Sequence, residues 1–180
     1  MPLKITYFAH GTTTDNESSL ATGWLPGELS ELGRRQAAEL GQLAANQNFD
    51  AVFCSDLKRA VDSAELGFGD KYKIIFDARL REANYGDFNG KAENFKNNLT
   101  EYINKPFPNG ESYQDVEKRL RNFLEFLKTN YNNKRMAIVA HQAPQLALDV
   151  ILKNKTWEQA IAEDWRQTKS WQPGWKYKII

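Results

Sequence analysis

The chain is 180 residues long, 41% hydrophobic and 26% charged, with a formal net charge of +1 and one cysteine. Residues 1–180 suit a single domain with a full hydrophobic core, and the near-neutral charge argues against a nucleic-acid or membrane partner held mainly by electrostatics. A lone cysteine excludes an internal disulfide, no apolar run approaches the roughly 20 residues that cross a bilayer, and the first residues lack the basic and apolar regions of a signal peptide, so a cytoplasmic setting is expected.

Leu3 to Phe8 is short, mostly apolar and β-prone, and reads as a strand. Ser30 to Leu43 opens on a capping residue and places apolar side chains at helical spacing. Ala51 to Cys54 reads as a buried strand, after which Ser55 or Asp56 is expected to cap a helix running to about Leu66. Lys73 to Phe76 offers another strand. Residues 83–111 are irregular and rich in Asn, Gly and Pro; they are expected to form an excursion over the site, not a second domain. Ser112 to Tyr131 is the clearest helix, with Val116, Leu120, Phe123, Leu124 and Leu127 on one face. Arg135 to Ala140 reads as a strand, Pro144 to Leu152 as a helix and Lys176 to Ile180 as a last strand. The alternation predicts an α/β fold, a three-layer sandwich with a mostly parallel central sheet and helices on both faces. Ligands of such sheets bind beyond the carboxyl ends of the strands.

The chain has two histidines, and both fall at such ends. His10 follows the first strand and His141 follows Arg135–Ala140. Either alone reads as well as a structural histidine; at equivalent places, the pair favours a site. A metal is not expected, because no His-x-x-x-His spacing exists and the one cysteine has no partner. Cys54 lies inside an apolar strand, where a thiol is usually buried and inert, which disfavours a Cys-His hydrolase. Attack by an imidazole on phosphorus, through a phosphohistidine, needs no cofactor. Phosphoryl transfer also demands preorganised donors. Gly11 is expected to admit close backbone approach to a phosphate, Thr12, Thr13 and Asn16 carry donors, and Arg59 brings a guanidinium to the same crevice.

These pieces resemble the histidine phosphatase superfamily, also called phosphoglycerate-mutase-like. The family opens on a strand ending Arg-His-Gly-x-Thr, then Asn; here stand Ala9-His10-Gly11-Thr12-Thr13, then Asn16. Residues 25–37 are similar to its P-L-T-x-x-G-x-x-Q-A helix start. Ser55-Asp56-Leu57-Lys58-Arg59-Ala60 with Ser63-Ala64, Leu80-Arg81-Glu82 with Gly86 and Gly90, and Pro108-Asn109-Gly110-Glu111-Ser112 follow in the family's order. Val139-Ala140-His141 matches the second histidine strand, with Gln142 where the family usually has glycine. The resemblance implies that His10 accepts the phosphoryl group, that Arg59 and His141 clamp phosphate oxygens, and that Asn16 lines the pocket. It further implies that Glu82 protonates the leaving oxygen and then activates water. The substrate implied is a small phosphorylated metabolite, with Gly11, Thr12, Thr13, Asn16, Trp24 and Gln142 as binding candidates. Short length favours a phosphatase over a mutase, whose pocket must keep water out.

Ala9 departs from the pattern. Arginine's planar fork binds two phosphate oxygens at once, and alanine has no donor. Three readings stand at this point: an introduced replacement of a natural arginine, a natural site that recruits another cation such as Lys58, Arg81 or Lys91, or a non-catalytic module that binds phosphorylated ligands. Retention of His10, Arg59, Glu82 and His141 favours an altered but working phosphatase site. Trp157, Trp165, Trp171 and Trp175 crowd the C-terminal region; packing of the last helix and strand is their expected role, a homodimer surface the alternative.

Overall fold

The computed structural model describes residues 2–168, 170 and 174–179. A five-stranded sheet forms its centre, and a separate strand pair lies beside it. In chain order the sheet strands are β1 (Leu3–Ala9), β3 (Ala51–Cys54), β4 (Ile74–Phe76), β6 (Arg135–Ala140) and β7 (Trp175–Ile179), while β2 (Leu20–Ala21) and β5 (Lys91–Ala92) make the antiparallel pair. The helices are α1 (Thr14–Glu17), α2 (Glu31–Leu43), α3 (Lys58–Phe68), α4 (Tyr113–Asn130), α5 (Gln142–Lys153), α6 (Trp157–Ala162) and α7 (Trp165–Thr168). Spatial strand order is β4-β3-β6-β1-β7, parallel except for β7 against β1. No helix among the described residues is long and apolar enough to cross a membrane.

Side-chain alternation divides the core in two. Phe8, Val52, Cys54, Ala137 and Val139 point to one face, where Leu40 and Ala44 around the end of α2 and Ala64 and Phe68 of α3 cover them. Ile5, Tyr7, Phe53, Met136, Ile138 and Ala140 point to the other, under α4, α5 and α6. The period of two makes each central strand apolar on both faces. The stripe read from the sequence on α4 is the buried one: Val116, Leu120, Phe123, Leu124 and Leu127 are all within 3% exposure. Strand β7 is different. Trp175, Tyr177 and Ile179 are buried while Lys176 and Lys178 are exposed, so charge marks an edge strand covered on one side only.

Element starts reveal where local reading falls short. Ser30 caps α2 as expected, accepting from the Gly33 amide at 3.2 Å, and Ser112 opens α4 with a reciprocal cap against Asp115. Neither Ser55 nor Asp56 caps α3. The helix begins at Lys58 with no side-chain cap, Ser55 Oγ accepts from Leu57 N within the turn, and Asp56 is held by Arg81. Helix α5 begins at Gln142, two residues before Pro144, which puts its first amides beside the second histidine. The excursion at 83–111 carries β5 and 3-10 turns at 86–88 and 93–102, packed on its own aromatic cluster of Tyr85, Phe88, Phe95, Tyr102 and Phe107. Trp157 is buried and Trp165 stacks on Trp175 at 5.6 Å, while Trp171 and Ile180 lie outside the described residues.

Candidate active site

Strand register brings the histidines together. Ala9 and Ala140 are paired at the carboxyl ends of β1 and β6, so the next residue on each strand is a histidine. The His10 amide donates to the Ala140 carbonyl at 3.0 Å, which carries the pairing one step further. The two rings lie 5.0 Å apart, centroid to centroid, at 59°.

The rings differ in their bonding. His10 Nδ1 is 2.7 Å from the Gly11 carbonyl oxygen. A carbonyl only accepts, so Nδ1 carries the proton and the Nε2 lone pair is left for attack. His141 is fully buried, and neither ring nitrogen has a hydrogen-bond partner among the described residues. Such orphaned groups are costly inside a protein, and an anion between the rings would satisfy them. Burial, then the positive charge of Arg59, lowers His10 to about 3, although its Gly11 bond opposes the shift. Burial and the same guanidinium hold His141 well below the ordinary histidine range. Both rings are therefore neutral at pH 7, which His10 requires as a nucleophile.

The same shifts make stability depend on pH. Below about pH 6.5 the unfolded chain takes up protons that these folded rings refuse. Stability is therefore full above that pH and declines as pH falls toward about 3. Thermal melts at about pH 7.5 and 4.5 should show a lower acid midpoint, and His10→Ala should narrow the gap. An identical gap in parent and variant would remove His10 as its source.

Arg59 comes from the first turn of α3 and is 2% exposed. Its Nη2 donates to the Gly23 carbonyl at 2.8 Å and its Nη1 to the Leu25 carbonyl at 3.0 Å. Part of the fork thus pins the loop at 23–25, and its charge is the strongest of those acting on both imidazoles. Glu82 is 7% exposed and sits against the start of α5. Its Oε1 accepts from the amides of Ala83 and Ala143, both at 2.9 Å, and its Oε2 from Gln142 at 3.1 Å. A helix N-terminus suits a carboxylate, and three donors fix where its oxygens point.

Several expected donors serve the scaffold instead. The Gly11 amide donates to Ser63 Oγ at 3.0 Å. Gly11 is needed for a different approach from the one expected: a Cβ there would meet the Gly33 carbonyl oxygen of α2 at 2.3 Å. The Thr12 amide and hydroxyl both donate to Gln36 Oε1 at 2.9 Å. Thr13 is buried, and its hydroxyl caps α1 by accepting from the Asn16 amide, while Asn16 Oδ1 accepts from Thr13 N. That leaves Asn16 Nδ2 for the cleft. The Trp24 indole donates to the Glu82 carbonyl at 2.7 Å and lies under Arg81 at 4.8 Å. The indole steadies the segment carrying Glu82.

A cavity of about 680 Å³ is lined in part by Ala9, His10, Thr12, Asn16, Glu82 and Gln142; His141 and Arg59 are buried beside His10 and are not among its lining residues. The three cations suggested as replacements for the motif arginine are engaged elsewhere or absent from it. Lys58 pairs with Glu28 and Asp62, Arg81 makes a two-point bond to Asp56, and Lys91 is exposed on β5. The cations that do line it are Lys96 and Arg166, neither of which stands in a recognisable motif. Burial pushes the Cys54 thiol up to about 12, so it stays protonated and inert. Among the described residues, no group of three or more His, Cys, Asp or Glu side chains could hold a metal ion.

Residues 7–175 match the family described as histidine phosphatase superfamily (branch 1). The adenosylcobalamin/alpha-ribazole phosphatase of Salmonella typhimurium is 31% identical over 143 residues, covering 74% of this chain and 71% of that protein. Phosphoserine phosphatase 1 of Hydrogenobacter thermophilus is 26% identical over 156 residues, covering 81% of this chain and 74% of that one. Among solved structures, a mycobacterial glucosyl-3-phosphoglycerate phosphatase complexed with VO3 superposes with a TM-score of 0.78 at 28% identity, covering 88% of this chain and 86% of that one.

Proposed function

The chain belongs to the histidine phosphatase superfamily, and from that premise we propose that it hydrolyses a small phosphomonoester through a phosphohistidine formed on His10. The relatives bear the names of phosphatases for phosphorylated metabolites, and the phosphohistidine route is general to the family. The observation that carries the assignment to particular residues is the histidine pair: one ring with Nε2 left for attack, the other with two unbonded nitrogens, 5.0 Å away.

In the first half-reaction the His10 Nε2 lone pair attacks phosphorus, and the bond from phosphorus to the leaving oxygen breaks. Glu82 passes a proton to that oxygen. Arg59 and His141 hold the equatorial oxygens, where donors placed for the transition state act most strongly. In the second half-reaction water attacks the phosphoryl group, Glu82 takes a proton from that water, and the phosphorus–nitrogen bond breaks. Orthophosphate leaves, and His10 is neutral again.

Rapid quenching after mixing with a ³²P-labelled phosphomonoester tests this reading. Label should appear on the protein in a linkage that survives alkali and is lost in mild acid, and it should map to the peptide bearing His10. Release of orthophosphate without any such label on the enzyme would replace the covalent route with direct attack by water. Transfer to a phosphorylated acceptor in place of release would make the protein a mutase.

A further inference from the structure

Resting on the phosphatase reading, we propose that Arg166 takes the place of the missing motif arginine as a clamp on the phosphate oxygens, held in position by Asp164, which Gln142 anchors. Ala9 and Arg166 line the same cavity as His10 and Glu82, so a guanidinium reaches that cavity although position 9 supplies none. Its charge acts on both imidazoles, behind burial and Arg59 on His10, and on His141 behind His10 and Arg119 as well.

The tether explains why a residue in a four-residue helix near the chain end can serve a precise role. Asp164 is 3% exposed, and its Oδ1 accepts from Arg166 Nη1 at 3.0 Å and from the Arg166 amide at 3.1 Å. Its Oδ2 accepts from the Gln142 side-chain amide. The Arg166 guanidinium also lies over the Trp165 ring at 4.4 Å, and Trp165 Nε1 donates to Gln145 Oε1 at 3.2 Å. Arg166 Nε and Nη2 have no hydrogen-bond partner among the described residues. Those donors form one side of the fork that suits two phosphate oxygens.

Two departures from the family pattern are thereby one adaptation. Glycine at position 142 could not reach Asp164; glutamine does so while its backbone amide still holds Glu82 at 3.1 Å. Loss of the guanidinium at position 9 and gain of the amide at 142 trade one support for another. Lys96, the other cation of the cavity, is a poorer substitute. It pairs with Glu93 at 2.7 Å, and a lysine offers a point charge in place of a planar fork.

The test uses the full chain and four variants, Arg166→Gln, Ala9→Arg, the two combined, and His10→Ala. Inhibition by orthophosphate, kcat/KM for p-nitrophenyl phosphate and the melting midpoint are measured for each. Arg166→Gln should weaken orthophosphate inhibition at least about 10-fold and lower kcat/KM by about 10²-fold, the usual loss for one transition-state donor, with a lowered melting midpoint because buried Asp164 loses its cation. Adding Ala9→Arg to that variant should recover most of both, whereas Ala9→Arg alone should change little. Unchanged constants in Arg166→Gln, with His10→Ala inactive, overturn the role of Arg166 and leave the phosphatase reading standing. So does a loss in Arg166→Gln that Ala9→Arg fails to recover in a folded protein. Full activity in His10→Ala would instead overturn the phosphatase reading itself.

Discussion

His10→Ala is expected to lower phosphate release from p-nitrophenyl phosphate by at least about 10⁴-fold, the scale seen when a covalent nucleophile is removed. No other group can take over the attack. His141 is fully buried, and the Cys54 thiol, pushed up to about 12, remains protonated. Folding should survive, because the His10 main chain keeps its bond to Ala140 and the following turn is fixed by Ser63 and Gln36. An unchanged circular dichroism spectrum beside a lost rate would separate chemistry from unfolding. A variant as fast as the parent would refute the nucleophile.

Glu82→Gln should cost about 10²- to 10⁴-fold in kcat, the range for a positioned proton-transfer group. The leaving group distinguishes its two roles. With p-nitrophenol, which departs without help, the first half-reaction should proceed and phosphoenzyme should accumulate, visible as a burst of nitrophenolate. With an alkyl phosphate, such as a sugar phosphate, formation itself should slow, and the burst should vanish. Equal slowing for both esters without a burst would assign Glu82 to binding alone. The amide also affects folding: Oε1 still accepts from Ala83 and Ala143, but the new NH₂ faces the Gln142 amide, donor against donor. One mismatch of that kind costs about 1–3 kcal/mol, so a modestly lowered melting midpoint should accompany the kinetic loss.

The α/β order, the two-faced sheet and the places of both histidines were legible because they depend on short-range pattern. The near-continuous apolar runs of β1 and β6 marked them as buried strands, and their ends told where His10 and His141 emerge. Glu82 was found only through the family resemblance, and Arg59, whose position put a guanidinium at the crevice, received its clamp role only that way, since a lone carboxylate in a loop and a lone arginine in a helix carry little local signal. The shape of the 83–111 segment was unreadable for a related reason: its aromatic cluster forms from residues spaced at neither a helical nor a strand period.

Sequence alone, then, determined the core, the fold class and the chemistry that two imidazoles at neighbouring strand ends can perform. Tertiary structure decided what each polar group is used for. It spent the amides of Gly11 and Thr12 on Ser63 and Gln36, turned Thr13 into a helix cap, laid Trp24 against the Glu82 backbone, and brought Arg166 to the cavity in place of Lys58, Arg81 or Lys91. The physical reason is range. Hydrophobic periodicity is a property of adjacent turns of chain, whereas a donor satisfies whichever acceptor folding sets within about 3 Å of it, however far away that acceptor lies in sequence.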